Sequence, residues 1–227
     1  NRSSGDLAKI VYPKPAPEKE SPNVSFIYNS FGQLESIKDP NQAITRYEYY
    51  PQTGYLAKTI QDYGTGKLNI AASFSYDTLG NVTSITDPNG NTSSFTYDSH
   101  NNLIRLTRGL SPQGTVPEEI TTYKYDANDN LIQRTSSSIS TTYTYDLLDR
   151  LESITDPLGN RTVFYYDSNG NRCQAIDSQS NFTYYLYDER NLLWKVTDAL
   201  FNITEYTYDA NGNLQAISDA KGNQTSY

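Results

Sequence analysis

The chain has 227 residues, with one cysteine, one histidine, one tryptophan and no methionine, but 21 tyrosines. Its net charge of −8 is the wrong sign for binding nucleic acid or an anionic membrane surface, and we expect no membrane insertion because its apolar runs are only a few residues long. A single cysteine, Cys173, excludes an internal disulfide bond and a cysteine-based zinc site.

The composition nevertheless predicts a folded chain. Hydrophobic residues make up only 36% of the sequence, a fraction also found in disordered chains. Disordered chains are poor in aromatic residues, however, and here the aromatic fraction is 13%. We therefore predict a core of tyrosine, isoleucine and leucine. Because no methionine is present, even at position 1, we expect the chain to be a piece of a longer protein.

Residues 1–23 differ in composition from the rest of the chain. They contain Pro13, Pro15, Pro17 and Pro22, with lysine and glutamate between them. Such a composition favours extended, unpaired chain. We predict a proline-rich spacer, or a long loop of a preceding repeat.

An internal repeat occupies residues 24–227 and determines the predicted fold. A tyrosine, in most copies followed by aspartate and preceded two residues earlier by Phe or Tyr, recurs about every 21 residues, with two insertions of 6 and 7 residues and one deletion. These anchor tyrosines are Tyr28, Tyr49, Tyr76, Tyr97, Tyr125, Tyr145, Tyr166, Tyr187 and Tyr208. They define nine repeats and the start of a tenth, in which the sequence stops, so we expect a fragment of a longer array.

Each repeat reads as a β-hairpin. In the unit Tyr76–Asp98, the turn signals L-G-N and D-P-N-G-N are followed by the β-prone runs Val82–Thr86 and Thr92–Tyr97. No stretch shows the periodicity of a capped helix. We predict an all-β fold in which tandem hairpins form a twisted, coiling antiparallel ribbon, with about 18 strands in total.

The two strands of a repeat differ in their patterns. The second strand alternates cleanly, so that Thr204, Tyr206 and Tyr208 share one face. In the first strand, Val82 and Ile85 lie three residues apart, which an unbroken strand would place on opposite faces. Either a bulge re-aims one of them, or both faces are partly buried.

Two insertions interrupt the repeat. They lie at approximately Asp62–Ala71 and Gly109–Glu119, and both fall at the D-P-x-G-N turn. Both loops should project from the same rim of the ribbon, where repeat proteins often carry binding sites. Neutral length variation at a tolerant hairpin tip is the other interpretation.

The residues that most often perform catalysis do not stand out from the repeat. His100 occupies a turn position that holds leucine or asparagine in other repeats, and Cys173 occupies a strand position held elsewhere by threonine. The aspartates after the anchor tyrosines recur in one position, where short acidic side chains bond local backbone N–H groups. We expect no enzyme active site.

Two turns resemble the start of a calcium-binding loop. Asp167, Asn169 and Asn171 place oxygen atoms at positions 1, 3 and 5, and residues 209–213 repeat the pattern. A calcium loop needs glycine at position 6 and glutamate at position 12, whereas here glycine falls at position 4 and Ser178 stands at position 12. We therefore expect no metal site and no cofactor.

The repeat resembles the YD or Rhs repeat, whose pattern is Y-D-x-x-G-N-x-x-x-x-x-D-P-x-G-N-x-T-x-F-x-Y-D. Tyr76–Asp98 and Tyr145–Asp167 match it closely, and the resemblance covers residues 24–227. The predicted structural signature consists of Tyr76, Asp77, Gly80, Asn81, Asp87, Pro88, Gly90, Asn91, Tyr97, Asp98, Tyr145, Asp146, Tyr166, Asp167, Gly170, Asn171, Tyr187, Asp188, Tyr208, Asp209, Gly212 and Asn213.

The resemblance implies a scaffold rather than a catalyst. In that family, hairpins coil into hollow shells, as in bacterial Rhs polymorphic toxins, the cocoons of toxin complexes and teneurins. It implies a structural segment of a large secreted or cell-surface bacterial protein whose shell encloses or presents a C-terminal effector or toxin domain. Its partners would be the remainder of the same chain and that effector. An adhesin or carbohydrate-binding scaffold, with a glycan or cell-surface partner, is the alternative.

Overall fold

The computed structural model describes residues 5–14, 20–110 and 118–227. The chain divides into two compact units, Asn1–Thr121 and Thr122–Tyr227. Every regular element of the described residues is a β-strand, which confirms the all-β prediction. Within this described part of the chain, no helix is long and apolar enough to span a membrane.

Nine strands of the first unit follow one another as an antiparallel meander. They are β1 (Lys9–Val11), β2 (Asn23–Tyr28), β3 (Leu34–Lys38), β4 (Ile44–Tyr49), β5 (Leu56–Gln61), β6 (Ile70–Tyr76), β7 (Val82–Thr86), β8 (Thr92–Tyr97) and β9 (Leu103–Leu110). Each strand pairs with the next one along the chain. The division between the units falls within the following strand, β10 (Glu119–Tyr125).

The second unit repeats the same arrangement. Its strands are β11 (Leu131–Ser136), β12 (Ile139–Tyr145), β13 (Leu151–Thr155), β14 (Arg161–Tyr166), β15 (Arg172–Ile176), β16 (Phe182–Tyr187), β17 (Leu193–Thr197), β18 (Ile203–Tyr208), β19 (Leu214–Ser218) and β20 (Gln224–Ser226). From β11 onwards, each strand again pairs antiparallel with its successor. The consecutive hairpins predicted from the turn signals are therefore present.

The proline-rich N-terminal stretch contains a strand that its composition did not predict. Lys9–Val11 pairs with β2, in a register that places Ile10 opposite Val24. The expectation of unpaired chain was wrong here, because β2 offers an open ladder of N–H and C=O groups and the short segment before the prolines can pair with it. Residues 15–19, which include two of the prolines, lie outside the described residues.

A β-bulge resolves the pattern of the first strand of each repeat. Tyr76 pairs with Val82 and Phe74 pairs with Ile85, so a separation of two residues on β6 matches a separation of three residues on β7. The extra residue places Val82 and Ile85 on the same face as the two aromatic residues. The same register shift recurs beside the other anchor tyrosines whose pairing is defined. Of the two explanations left open by the sequence, the bulge is the one observed.

Each unit is a thin sheet rather than a globule with a deep core. In the described residues, strands contact only their neighbours in sequence. Only Ile60, Leu106 and Ala216 are buried apolar residues of that part of the chain. The aromatic residues of the repeat are mostly half-buried on one face, while the opposite face of strands such as β8 and β12 carries serine and threonine. Lateral packing along one face therefore supplies most of the apolar burial.

The first insertion is divided between two turns, which corrects its predicted position. Tyr49 pairs with Leu56, seven residues on, whereas Tyr76 pairs with Val82, six residues on. One inserted residue therefore lies in the turn after Tyr49, and the other five lie in the hairpin between β5 and β6. Most of the second insertion, residues 111–117, lies outside the described residues.

The start of the loop between β5 and β6 docks on the sheet, whereas its tip, which includes Leu68, is exposed. The backbone N–H of Tyr63 donates to the carbonyl of Ile44 at 2.9 Å. The Arg46 guanidinium lies 4.8 Å from the centroid of the Tyr63 ring, and its Nη1 donates to Tyr63 Oη at 2.6 Å. Ile60, which pairs with Arg46, is buried. A cation–π contact and a backbone bond thus dock this loop.

Candidate functional site

In most turns of the repeat, one aspartate side chain organises the backbone. Asp167 Oδ1 accepts hydrogen bonds from the backbone N–H groups of Asn169 and Asn171, both at 2.9 Å. Its Oδ2 accepts from Asn171 Nδ2 at 3.1 Å. The N–H of Gly170, whose φ is +86°, donates to the Asp167 carbonyl at 3.1 Å. The side chain therefore satisfies local N–H groups that the strand ladders leave unpaired.

In most of the repeats described by the structure, the same turn joins both pairs of strands, although the sequence presents two different turn signals. The aspartates with this carboxylate–asparagine arrangement are Asp77, Asp87, Asp98, Asp126, Asp156, Asp167, Asp177, Asp198, Asp209 and Asp219. Asp146 bonds Arg150 in the asparagine position, and Asp188 faces Leu192, which contributes only its backbone N–H. The signature residues of the two turn types therefore occupy equivalent positions.

The turn geometry already engages the oxygen atoms that resemble the start of a calcium loop. Both carboxylate oxygens of Asp167 already face N–H donors, which would oppose a cation. Over residues 5–14, 20–110 and 118–227, no group of three or more His, Cys, Asp or Glu side chains could hold a metal ion.

The fourth residue of each aspartate turn adopts positive φ even where it is not glycine. Non-glycine residues with positive φ in this position are Gln42, Asn101, Asp129, Asp149, Ser180, Asn191 and Phe201. Some of them gain a compensating bond. Asn191 Oδ1 accepts from Asn169 Nδ2 at 3.0 Å and from Asn171 Nδ2 at 2.9 Å, and so joins two successive repeats. Asp149 Oδ1 accepts from Asn128 and Asn130 in the same way, at 2.8 Å each.

Ser180→Gly and Asn191→Gly are expected to change stability in opposite directions. Ser180 has φ 64° and no such inter-repeat bond, so glycine should raise the free energy of unfolding by about 0.5 kcal/mol, once the larger unfolded-state entropy of glycine is subtracted. Asn191→Gly removes two hydrogen bonds and should lower it by about 1 kcal/mol. Urea denaturation measures both variants, and equal effects would contradict the role of the inter-repeat bond.

The hydroxyl of the anchor tyrosine reaches back to the preceding repeat. Tyr166 Oη donates to the carbonyl of Leu151 at 2.8 Å. Leu151 pairs with Tyr145, the preceding anchor, on one side, while the ladder between β13 and β14 begins only at Ser153 on the other. The bulge thus removes the Leu151 carbonyl from the β-ladder with β14, and the next anchor tyrosine supplies its donor.

This contact recurs along both units. The Oη-to-carbonyl pairs are Tyr49 to Leu34 at 2.7 Å, Tyr97 to Val82 at 2.9 Å, Tyr145 to Leu131 at 3.0 Å, Tyr166 to Leu151 at 2.8 Å, Tyr187 to Arg172 at 3.1 Å and Tyr208 to Leu193 at 2.8 Å. Burial raises the pKa of Tyr97, Tyr145 and Tyr208 above the ordinary value, so these hydroxyls remain protonated donors at neutral pH. The sequence predicted aromatic packing for these tyrosines but not this hydrogen bond. The sequence did contain a signal for this bond: all nine anchor positions hold tyrosine, whereas the position two residues earlier holds either phenylalanine or tyrosine.

Tyr166→Phe is expected to lower the free energy of unfolding by about 1 kcal/mol, because it leaves the Leu151 carbonyl without its donor while keeping the ring. The neighbouring Tyr165 provides a matched control, since it lies on the opposite face and is 48% exposed. Tyr165→Phe should change stability by less than about 0.5 kcal/mol. Chemical denaturation of both variants checks the difference, and a Tyr166→Phe variant as stable as the parent would contradict the proposed network.

His100 and Cys173 take part in local structure. The backbone N–H of His100 donates to Asp98 Oδ1 at 2.9 Å, which places the histidine in an exposed turn. Cys173 is a free, half-buried cysteine in the bulge of β15, between Arg172 and Gln174. Each residue occupies a repeat position defined by the backbone, as the sequence predicted.

A comparison with known families identifies the repeat. The RHS Repeat family profile matches residues 76–116, 125–161, 145–181 and 187–225, more than half of the chain. The chain belongs to the Rhs-repeat family. The matched segments of this Rhs-repeat chain begin at residue 76, and the turns before them depart from the signature, since Asn29 and Tyr50 follow the first two anchor tyrosines.

Solved structures share the fold of this Rhs-repeat chain at low sequence identity. The crystal structure titled TcdB2-TccC3-Cdc42 aligns with a TM-score of 0.72 and 18% identity over 97% of this chain and 13% of that chain. TcdB2-TccC3-TEV aligns with a TM-score of 0.70 and 14% identity, over 87% of this chain and 11% of the other. The Tc holotoxin pore of Photorhabdus luminescens, with a substitution in TccC3, aligns with a TM-score of 0.58 and 15% identity, over 90% of this chain and 14% of that chain. No curated protein sequence matches the chain.

Proposed function

We propose that the chain is a stretch of the wall of a larger Rhs-repeat shell. The observation that carries this proposal is the shared fold, which extends over 97% of this chain but only 13% of the chain in the TcdB2-TccC3-Cdc42 structure. In the part of the chain that the structure describes, strands contact only their neighbours and most aromatic residues line one face, which suits a wall that is extended by adding repeats. The turn aspartates, the anchor tyrosines and the remaining signature residues would then have structural roles.

The shell of the parent protein would enclose or present a C-terminal effector or toxin domain. Support comes from the repeat family and from similarity to a structure described as a holotoxin pore. The partners of this segment would be the remainder of the same chain and the enclosed domain. The parent would act outside the cell that makes it, secreted or on the cell surface.

The role of this segment would be non-catalytic, and its organisation would follow the repeat. Residues 1–23 would form a spacer or loop that ends where the array begins, with Lys9–Val11 anchored on β2. Residues 24–227 would form nine hairpin repeats and the start of a tenth. The repeated aspartates bond local N–H groups, which suits a scaffold rather than a pair of catalytic carboxylates.

Electron microscopy of the longest natural parent chain tests the proposal. A closed hollow particle with internal density is expected, and limited proteolysis should cleave the C-terminal domain only after the shell is opened by denaturant. An open filament or an elongated stalk with a freely accessible C-terminal domain would overturn enclosure and favour the adhesin alternative.

A further inference from the structure

A cleft of about 390 Å³ lies on the turn edge of the first unit, between the turns that follow Tyr28 and Tyr49. Its lining includes Asn29, Phe31, Gln33, Tyr49, Tyr50 and Pro51. The cleft coincides with the strongest departures from the repeat, because asparagine and tyrosine replace two turn aspartates there and one residue is inserted after Tyr50. These changes remove two carboxylates from an edge that is otherwise acidic.

The aromatic walls of the cleft are held in place by the surrounding structure. Tyr50 Oη donates to the carbonyl of Phe74 at 2.8 Å, and the Tyr50 ring meets the Tyr76 ring edge to face, with centroids 6.3 Å apart. Tyr49 Oη donates to Leu34. The Phe31 ring, by contrast, is 84% exposed. The cleft therefore combines ordered rings with one ring that is free to cover a ligand.

Two side-chain amides supply polarity without charge. Asn29 Nδ2 donates to Gln33 Oε1 at 2.9 Å, and Gln33 Nε2 donates to the carbonyl of Gly54 at 2.8 Å. Each amide group carries two hydrogens, so one N–H of each remains for a ligand. These donors favour oxygen acceptors. No Asp, Glu, Lys or Arg side chain contributes to the lining within the described residues.

We propose that this cleft binds a pyranose ring of a neutral saccharide. The apolar C–H face of such a ring would stack on Phe31 or Tyr50, and its hydroxyls would accept from the amides of Asn29 and Gln33. The net charge of −8 disfavours an anionic ligand. A cation would be attracted by aromatic rings but opposed by the two amide N–H donors, and it would find no carboxylate in the lining. This site is independent of whether the parent protein forms a shell.

Binding is tested with the 227-residue chain and a panel of methyl glycosides of glucose, galactose, mannose and N-acetylglucosamine. Saturation-transfer NMR identifies the glycosides that bind, and calorimetry gives their dissociation constants. Phe31→Ala should weaken binding by about tenfold. Leu79→Ala is the matched control, since Leu79 occupies the same turn position after Asp77, is 68% exposed and lies outside the cleft lining. It should leave binding unchanged.

Asn29→Asp distinguishes a saccharide from a cation. Asn29 Oδ1 already accepts from the N–H groups of Phe31 and Gln33 at 3.0 Å, as the aspartate does in other turns, so the variant should keep the turn and stay folded, although it loses the bond to Gln33 Oε1. It replaces an amide donor with a carboxylate, which should weaken glycoside binding and strengthen binding of a cation such as tetramethylammonium.

The binding measurements distinguish a saccharide site from a cation site and from no site. A glycoside that binds the parent and the Leu79→Ala variant, but binds Phe31→Ala and Asn29→Asp more weakly, supports the proposal. Absence of binding for the whole panel, or equal binding by Phe31→Ala, overturns it. Tetramethylammonium that binds the parent, and binds Asn29→Asp more tightly, overturns the saccharide assignment in favour of a cation site.

Discussion

Gly80→Ala is expected to lower the free energy of unfolding by about 2–3 kcal/mol. Gly80 has φ +90°, a region that costs an L-residue about 1–2 kcal/mol. A Cβ atom built on Gly80 would also lie 2.6 Å from Tyr55 Oη and 3.1 Å from Tyr55 Cζ. Because the Tyr55 ring packs against Tyr76 with centroids 4.9 Å apart, moving it away would lose that aromatic contact as well.

Gly32→Ala separates the two contributions. Gly32 occupies the same turn position on the same edge of the unit, with φ +77°, and a Cβ there would have no neighbour within 4 Å. Its replacement should cost about 1–2 kcal/mol, the backbone contribution alone. Urea denaturation of both variants gives the difference. If the two losses were equal, Tyr55 would be moving aside without cost, and the contact with Tyr76 would have no energetic weight.

The local parts of the fold could be predicted because their causes are local. Pro88 and Gly90 identify a turn within five residues, and the alternation of Thr204, Tyr206 and Tyr208 identifies a strand without knowledge of its partner. The aspartate turn is equally local, since Asp87 bonds residues only two and four positions away. The strands and turns therefore follow from short windows of sequence.

The parts that escaped prediction depend on distant residues. The bulge beside Tyr76 is set by its register with β7, and the Tyr97 hydroxyl finds the Val82 carbonyl 15 residues back in the sequence. The pairing of Lys9–Val11 depends on the free edge of β2 rather than on its own composition. The docking of Tyr63 on Arg46 likewise requires β4, which pairs with β5, the strand before the loop. Spacing alone cannot show which carbonyl, edge or guanidinium lies close in space.

The cleft illustrates the same difference. Asn29 and Tyr50 are visible in the sequence as departures from the aspartate position, but they lie 21 residues apart and belong to different repeats. Antiparallel pairing brings successive turns of one edge side by side, so residues that are one repeat period apart in the sequence become neighbours in space. The bond between Gln33 Nε2 and the Gly54 carbonyl also spans 21 residues. Departures that recur one period apart are therefore a useful signal for a site.

Acid is expected to unfold the chain through its turns. Hydrogen bonds to the folded carboxylate hold the pKa of many turn aspartates below the ordinary value of 3.8. The donor with the largest effect is the side-chain amide of the asparagine four residues on for Asp77, Asp87, Asp156, Asp177, Asp198, Asp209 and Asp219. Because the folded pKa is lower than the unfolded pKa, the unfolded chain binds protons more readily.

The stabilising contribution is therefore present in full above about pH 5, and it is lost as the pH falls below about 4 through the folded pKa values. Each turn aspartate contributes to the free energy of unfolding with the same sign, and these contributions add because the turns are separate and bond mainly within themselves. Protonation also removes the negative charges that balance 18 lysine and arginine residues, so self-repulsion grows at the same time. The melting temperature, followed by far-ultraviolet circular dichroism, should be nearly constant from about pH 5 to 8 and fall steeply towards pH 3.

The combined variant Asp177→Asn, Asp198→Asn and Asp219→Asn distinguishes the turns from the net charge. These three aspartates have Asn181, Asn202 and Asn223 as their partners. An asparagine keeps one oxygen acceptor for the backbone N–H groups but does not titrate. The variant should melt at a lower temperature than the parent at pH 7, because it lacks three charge-assisted bonds, and it should lose less on going to pH 3. An unchanged drop between the two pH values would show that overall charge repulsion, and not the turn aspartates, makes the chain sensitive to acid.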